Sequence, residues 1–223
     1  MAEENTDRSD DQWAQELLAI GGEEHMTPKQ IAILKAAVEV FAEKGYAGAA
    51  TSEIAQKAGV AEGTVFRYYK TKKDLLISII GPTMGKLLAP FIIRNFGSVL
   101  NSPYETYEDF LRAFIVNRLD FARNNFKLLK ILVQEIPFHP SLREQFVENV
   151  MNIIVEKVSL QLERFKEKGQ IADVPTSAVI RFSASAALGF IMTRLLFQPD
   201  KDWNDEEEVE ILIRLIMHGL SPQ

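Results

Sequence analysis

The 223-residue chain contains no cysteine. Disulfides, thiolate nucleophiles and thiolate metal sites are therefore excluded. Histidine is scarce: His25, His139 and His218 stand far apart, with no HExxH pair and no carboxylate cluster at ligand spacing, so no metal is expected. P-loop, GxSxG and GxGxxG stretches are missing. A catalytic site would have to assemble from scattered residues, so neither an enzyme nor a resident cofactor is expected. Long apolar runs are lacking too. The longest uncharged helical run, Phe182 to Thr193, stops at Arg194 and is too short to span a bilayer. The opening MAEENTDRSDDQ is acidic where a secretory signal is basic and then apolar. The expectation is a cytoplasmic protein without membrane contact.

Net charge is −6, which taken alone argues against a nucleic-acid partner. The distribution reverses that reading. Residues 1–27 set Arg8 against eight acids, residues 28–74 hold eight Lys/Arg against five acids, and residues 75–223 hold sixteen against eighteen. Only the middle segment is basic, and phosphate binding depends on the local face.

These boundaries define three parts. Residues 1–27 read as an acidic extension, either a solvated tail or one amphipathic helix carrying Trp13, Leu17 and Ile20. From Pro28 the pattern becomes short helices with sharp stops. Ile31, Leu34, Val38 and Phe41 form one apolar stripe ended by Gly45. Thr51 is placed to cap SEIAQKA, Gly59 breaks that helix, and a third runs from about Ala61 to Tyr69. Thr71 caps a fourth, with Asp74 three residues on. Residues 75–223 read as longer helices: one around Phe110, Phe114 and Phe121, one stopped by Pro137 and Pro140, one from Ser141 to Lys168, one from Thr176 to Phe197 and one from Asp205 to His218. No segment alternates with period two, so the class is all-α.

The informative stretch is TSEIAQKAGVAEGTVFRYYKTKKDLL, Thr51 to Leu76. Two short helices about a glycine turn are the ingredients of a helix-turn-helix. Ile54, Ala55, Ala58 and Val60 are small or apolar at inner positions, and Val65 and Tyr69 turn inward with Phe41. Glu62, Gly63, Thr64, Arg67 and Tyr68 face out, followed by Lys70, Lys72 and Lys73. That surface is polar, basic and narrow enough for a major groove.

With FAEKGYAGAAT before it, this stretch resembles the DNA-binding domain of TetR/AcrR-type transcriptional regulators. The resemblance runs from about Pro28 to Leu76. It implies an N-terminal three-helix helix-turn-helix domain followed by a larger helical domain for effector binding and dimerisation. It further implies that Thr51, Thr64, Tyr68 and Lys72 contact phosphate, and that Glu62, Gly63 and Arg67 face bases, with Ser52 beside a base. The chemistry agrees: Arg67 suits guanine and Glu62 can accept from cytosine, although a first-turn acid also favours the helix dipole. Two positions depart from the pattern. Ala61 stands where a capping Ser is usual, and Phe66 stands where a Tyr is usual, losing a phosphate contact while keeping an apolar surface for a thymine methyl.

A single such helix reads few base pairs, so the resemblance implies a homodimer on a double-stranded, roughly palindromic operator. The expected seam joins Phe182, Ala186, Gly189, Phe190 and Thr193 to Leu212, Ile213 and Ile216; the alternative is that these stripes close the protomer's own core. The effector is expected to be small and lipophilic, in a pocket drawn from Phe91, Phe110, Phe114 and Phe121 with Asn117, Arg118, Gln134 and Glu135, although most of these rings also serve a core. Gly81-Pro82 and Pro90 are expected pivots after the fourth helix. A ligand-responsive repressor is the leading expectation. An activator or ligand-independent regulator of the same fold, and a helical enzyme with a vestigial helix-turn-helix, are the alternatives.

Overall fold

The computed structural model describes residues 26–80 and 93–219. Trp13, Leu17, Ile20, Gly81, Pro82, Pro90 and Phe91 lie outside the described residues. The elements are α1 (Pro28–Gly48), α2 (Thr51–Lys57), α3 (Glu62–Tyr68), α4 (Lys72–Ile80), α5 over residues 93–101, α6 (Tyr107–Asn124), α7 (Phe126–Glu135), α8 (Pro140–Phe146), α9 (Asn152–Glu167), α10 (Thr176–Met192) and α11 (Asp205–His218). There is no strand among the described residues, so the fold is all-α. The stretch Ser141 to Lys168 is not one continuous helix: a π-helical turn, Val147–Met151, separates α8 from α9. Chain packing divides the molecule into two compact units, one of residues up to 93 with 124–152, the other of 94–123 with 153–223.

In the first unit, α1 begins with a capping box. The Gln30 N–H donates to Thr27 Oγ1 at 3.3 Å and the Thr27 N–H donates to Gln30 Oε1 at 2.9 Å, with Pro28 in the first turn where no N–H is needed. Gly45, at φ 70°, breaks the helical path near its end. The predicted stripe of Ile31, Leu34, Val38 and Phe41 is too narrow. Ile33, Ala36, Ala37 and Val40 are buried as well, because α7 packs on α1 in addition to α2 and α4. Ion pairs from Lys57 to Glu39 (2.7 Å) and Glu43 (3.4 Å), and from Lys44 to Glu53 (2.5 Å), join α2 to α1. They are half-exposed, so each stabilises by about 1 kcal/mol at most and serves mainly to orient. The Asp74 N–H donates to Thr71 Oγ1 at 3.0 Å, capping α4 as predicted.

The second unit is built around Phe96, Phe110, Leu111, Ile115, Leu162, Phe165 and Ile213. Tyr107, Phe110 and Phe165 meet at ring separations of 5.8 to 6.4 Å, and the Tyr107 hydroxyl meets Ser183 Oγ at 2.8 Å, so two buried polar groups satisfy each other. Arg112 grips Glu210 with two hydrogen bonds (2.6 and 2.9 Å), tying α6 to α11, while Arg123 and Arg194 share Asp205.

Along α10, Val179, Ser183 and Ala187 recur every fourth residue and face the core. The opposite side leaves Phe182 57% and Leu188 55% exposed. A π-helical turn carries the helix on through Thr193–Phe197, so Thr176–Phe197 is long and apolar enough, by length and composition, to cross a bilayer. The helix spans the predicted Thr176 to Phe197 and runs on through Arg194, although the uncharged run within it stops there. Its most apolar window is only 17% buried, which makes α10 a helix with one buried edge and one uncovered apolar face.

Gly59, at φ 66°, forms the turn between α2 and α3. Gly59→Ala is expected to lower stability by about 1–2 kcal/mol, because a Cβ disfavours the left-handed region. A shift of the urea midpoint at unchanged slope would show it.

Candidate nucleic-acid interface

The residues of α2 and α3 are too few for either helix to persist alone, and three buried side chains hold the pair: Ile54 and Ala55 from α2 and Val65 from α3. The turn is closed by the Val60 N–H donating to the Ala55 carbonyl at 3.0 Å. At the end of α3, Tyr69 tucks into the core, where burial pushes its phenol up to about 12. With its back fixed, α3 turns Glu62, Gly63, Phe66 and Arg67 to solvent, leaves Thr64 and Tyr68 half-buried, and has exposed Ser52 on α2. Of the predicted contact residues on α3, Glu62, Gly63, Phe66 and Arg67 are thus the ones open to solvent. Ala61 supplies no side-chain cap.

Three contacts alter the predicted roles. Thr51 is not the cap of α2; Ala50 occupies that position without a side-chain bond. The Thr51 hydroxyl instead donates to Glu62 Oε1 at 2.7 Å, bridging α2 and α3. Phosphate oxygens only accept, so a Thr51–phosphate contact requires its one O–H to leave Glu62. Lys72 is also committed. Its ammonium donates to the carbonyls of Tyr46 (2.7 Å), Ala49 (2.9 Å) and, at greater length, Ala47 (3.4 Å), and sits 4.6 Å from the Tyr46 ring centroid. It therefore caps the C-terminal end of α1, where a cation also suits the helix dipole.

The third contact joins the ends of the unit. Thr27 and Tyr68 hydroxyls lie 3.4 Å apart, and Arg67 Nη2 donates to the Tyr68 oxygen at 3.4 Å with its guanidinium 5.1 Å from that ring. These neighbours, with Lys29 nearby, hold the Tyr68 phenol below its usual range. Thr27 and Lys29 bring the positive end of α1 beside the last turn of α3. Sequence reasoning overlooked them, although Thr27 with Gln30 three residues on is a legible capping box.

Residues 33–79 match the family model for bacterial regulatory proteins of the tetR family. The fatty acid metabolism regulator protein of Bacillus subtilis is 49% identical over 61 residues, spanning 27% of this chain and 31% of that regulator, so the match covers less than a third of the relative's length. Among solved structures, the Bacillus subtilis regulator FadR in complex with stearoyl-CoA superposes with a TM-score of 0.66 at 22% identity, over 86% of this chain and 99% of that one. AibR, in complex with isovaleryl coenzyme A and operator DNA, gives 0.68 at 18% identity, over 85% and 98%. Residues 33–79 thus carry the tetR-type DNA-binding segment, and the chain shares the fold of these solved regulators.

On α3, Gly63 is informative. It lies exposed in the helical region of α3, and a Cβ built there meets nothing within 4 Å. Among the described residues no packing requires a glycine there, and glycine costs a helix about 0.5–1 kcal/mol relative to Ala. The position leaves the α3 backbone open to solvent there.

The predicted effector residues are divided between the two units. Phe110 and Phe121 are buried in the second unit, Phe114 packs half-buried against Phe96 at 5.3 Å, and Asn117 and Arg118 lie together on α6. Gln134 and Glu135 belong to α7 in the other unit, where Gln134 is exposed and Glu135 Oε2 approaches His139 Nε2 at 3.3 Å. A cleft of about 330 Å³ does open in the second unit, beside Tyr107, Gln170, Phe182, Ser183 and Met217, and none of the predicted pocket residues lines it. On the expected seam, Phe182 and Gly189 are exposed, while Ala186, Phe190, Thr193, Leu212 and Ile216 are half-buried. Ile213 is 1% exposed and belongs to the protomer's core, and Phe190 meets Trp203 edge-on at 6.2 Å. Leu188 and Leu215, which were not predicted, are exposed on the same two helices.

Gly63→Ala is expected to raise stability by about 0.5–1 kcal/mol while weakening binding to duplex DNA, as read by a urea titration beside a gel shift. Lys72→Met is expected to lower stability by about 2 kcal/mol, from lost charge-assisted bonds to carbonyls. Reduced DNA affinity in Lys72→Met with an unshifted urea midpoint would return Lys72 to a direct phosphate role.

Proposed function

We propose that the protein is a ligand-responsive repressor that binds a roughly palindromic operator as a homodimer in the cytoplasm and leaves it when a small lipophilic effector binds. The single observation that carries this reading is the accessible side of α3, where Gly63, Phe66 and Arg67 project from a helix locked from behind by Val65 and Tyr69. Arg67 is the side chain suited to bidentate reading of guanine, and Phe66 offers apolar contact to a thymine methyl. Ser52, Thr64 and Tyr68 supply hydroxyls for flanking phosphates, and Thr51 joins them when its O–H turns from Glu62. Lys72 acts there chiefly by holding the start of α4 against the end of α1. Glu62 tempers affinity, since its carboxylate faces the same side as the phosphates, and contributes where a cytosine amine can meet it.

Dimerisation through α10 and α11 covers Phe182, Leu188 and Leu215, which are otherwise left to water. Gly189 supports this reading in the way Gly63 supports groove entry: a Cβ there meets nothing within 4 Å, so its own protomer does not require a glycine. A two-fold operator presents its half-sites in successive major grooves about 34–36 Å apart, one for each protomer's α3. An effector that favours a different spacing needs only about 1–3 kcal/mol of coupling to weaken operator binding 5- to 150-fold. Complexes of FadR with stearoyl-CoA and of AibR with isovaleryl coenzyme A and operator DNA support a fold able to accept such ligands.

Selection of duplex DNA from a random pool is the test. The expected product is a palindrome with half-sites about 10 base pairs apart, bound by a species of twice the protomer mass in sedimentation. Arg67→Ala is expected to relax preference at one base pair per half-site, at a cost of about 1–3 kcal/mol. Recovery of no common sequence, with affinity equal to that for unselected duplex, would overturn the proposal.

A further inference from the structure

Four arginines of the second unit reach into its packed structure, and three of them meet carboxylates. Arg112 is held by Glu210 and Glu108, Arg123 by Asp205, and Arg194 by Asp205. Arg118 is the exception. Its guanidinium is pressed against aromatic faces, 4.3 Å from the centroid of Phe96 and 4.9 Å from that of Phe121. Its hydrogen bonds go to a neutral acceptor: Nε and Nη2 donate to Asn117 Oδ1, at 3.1 and 2.5 Å. Asn117 is itself fixed, with Nδ2 donating to the Asn95 carbonyl at 3.1 Å. No carboxylate pairs with Arg118 among the described residues, and Nη1 makes no described hydrogen bond.

A guanidinium drawn into apolar surroundings without an anion is costly, because the desolvation of a buried ion is offset only by a well-placed opposite charge. Withdrawal from water pushes Arg118 down to about 10, which still leaves it cationic at neutral pH. The neighbouring walls are phenylalanine: Phe96, Phe114 and Phe121, with Phe96 and Phe114 edge-on at 5.3 Å. A fixed cation with donors to spare, set among aromatic rings, is complementary to an amphiphilic anion.

We propose that Arg118 is the anchor for the anionic head of the effector, and that the effector is an apolar chain bearing a carboxylate or a phosphate. Asn117 positions the guanidinium by holding one edge, which leaves Nη1 for the ligand. This rests on the effector-responsive reading above and specifies its chemistry. A carboxylate head corresponds to a free fatty acid and a phosphate head to an acyl-coenzyme A.

The test is direct calorimetric titration of the full-length protein, without DNA, using dodecanoate, dodecanoyl-CoA, coenzyme A alone and neutral dodecanol as probes. The wild type is expected to bind one of the chain-bearing anions and to prefer it to dodecanol. Arg118→Met is expected to lose about tenfold or more in affinity for that anion, with Arg118→Lys retaining part of it. Thermal melting of the unliganded Arg118→Met variant separates this from a structural role: a ligand-anchoring cation predicts an unchanged or raised Tm, whereas a structural one predicts a fall. Equal affinity of wild type and Arg118→Met, equal binding of dodecanol, failure of both anions to bind, or a lowered Tm of the variant would each overturn the proposal. Binding of the anion through Arg118 without release of the selected operator would leave the anion site standing and sink the inducer reading instead.

Discussion

Helices as short as α2 and α3 fray in water, because so few backbone bonds do not repay the nucleation of a helix. The reading face therefore exists only as long as a larger scaffold imposes it. That scaffold is α1 and α4, and the contact that closes it is the Lys72 ammonium against the carbonyls at the end of α1. A helix terminus leaves carbonyls without partners. Here one side chain from the start of α4 satisfies several of them and fixes where α4 begins. The chain between those points, α2 through α3, is thereby held at both ends, with Ile54, Val65 and Tyr69 filling the space behind it.

The same scaffold explains how an acidic protein presents a basic surface. Of the acids between residues 28 and 74, Glu39 and Glu43 are engaged by Lys57, and Glu53 by Lys44. These pairs lie between α1 and α2. Arg67, Lys70 and Lys73 stay exposed, and Lys29 lies close enough to Tyr68 to perturb its phenol. Glu62 is the acid that remains on the reading side, and the Thr51 hydroxyl is turned to it.

Much of the first unit was legible because its signals are local. Gly59, the inward run of Ile54, Ala55 and Val65, and Thr71 with Asp74 each act within a few residues of their neighbours, so spacing alone revealed them. Roles that depend on distant partners were not legible. Nothing around Thr51 announces Glu62 as its acceptor, and nothing around Lys72 announces carbonyls more than twenty positions earlier. The same limit applies to the second unit. Phe110 and Phe121 read equally as core or pocket until packing places them in the core, and Gln134 could not be separated from Asn117 without knowing that α7 packs with α1. Burial of Ile213 beside exposed Leu215 likewise depends on which face of α11 meets the core.

The Tyr46 ring has two neighbours. Lys72 stands over its face, and the His139 imidazole meets it edge-on at 5.8 Å, with Glu135 beside that imidazole. Residues 135–139, remote in sequence, thus meet the ring of the same residue whose backbone carbonyl accepts from Lys72 at the start of α4. A shift of that turn would therefore be felt through the Tyr46 ring at the joint between α1 and α4, which makes the His139 contact a mechanical handle on that joint.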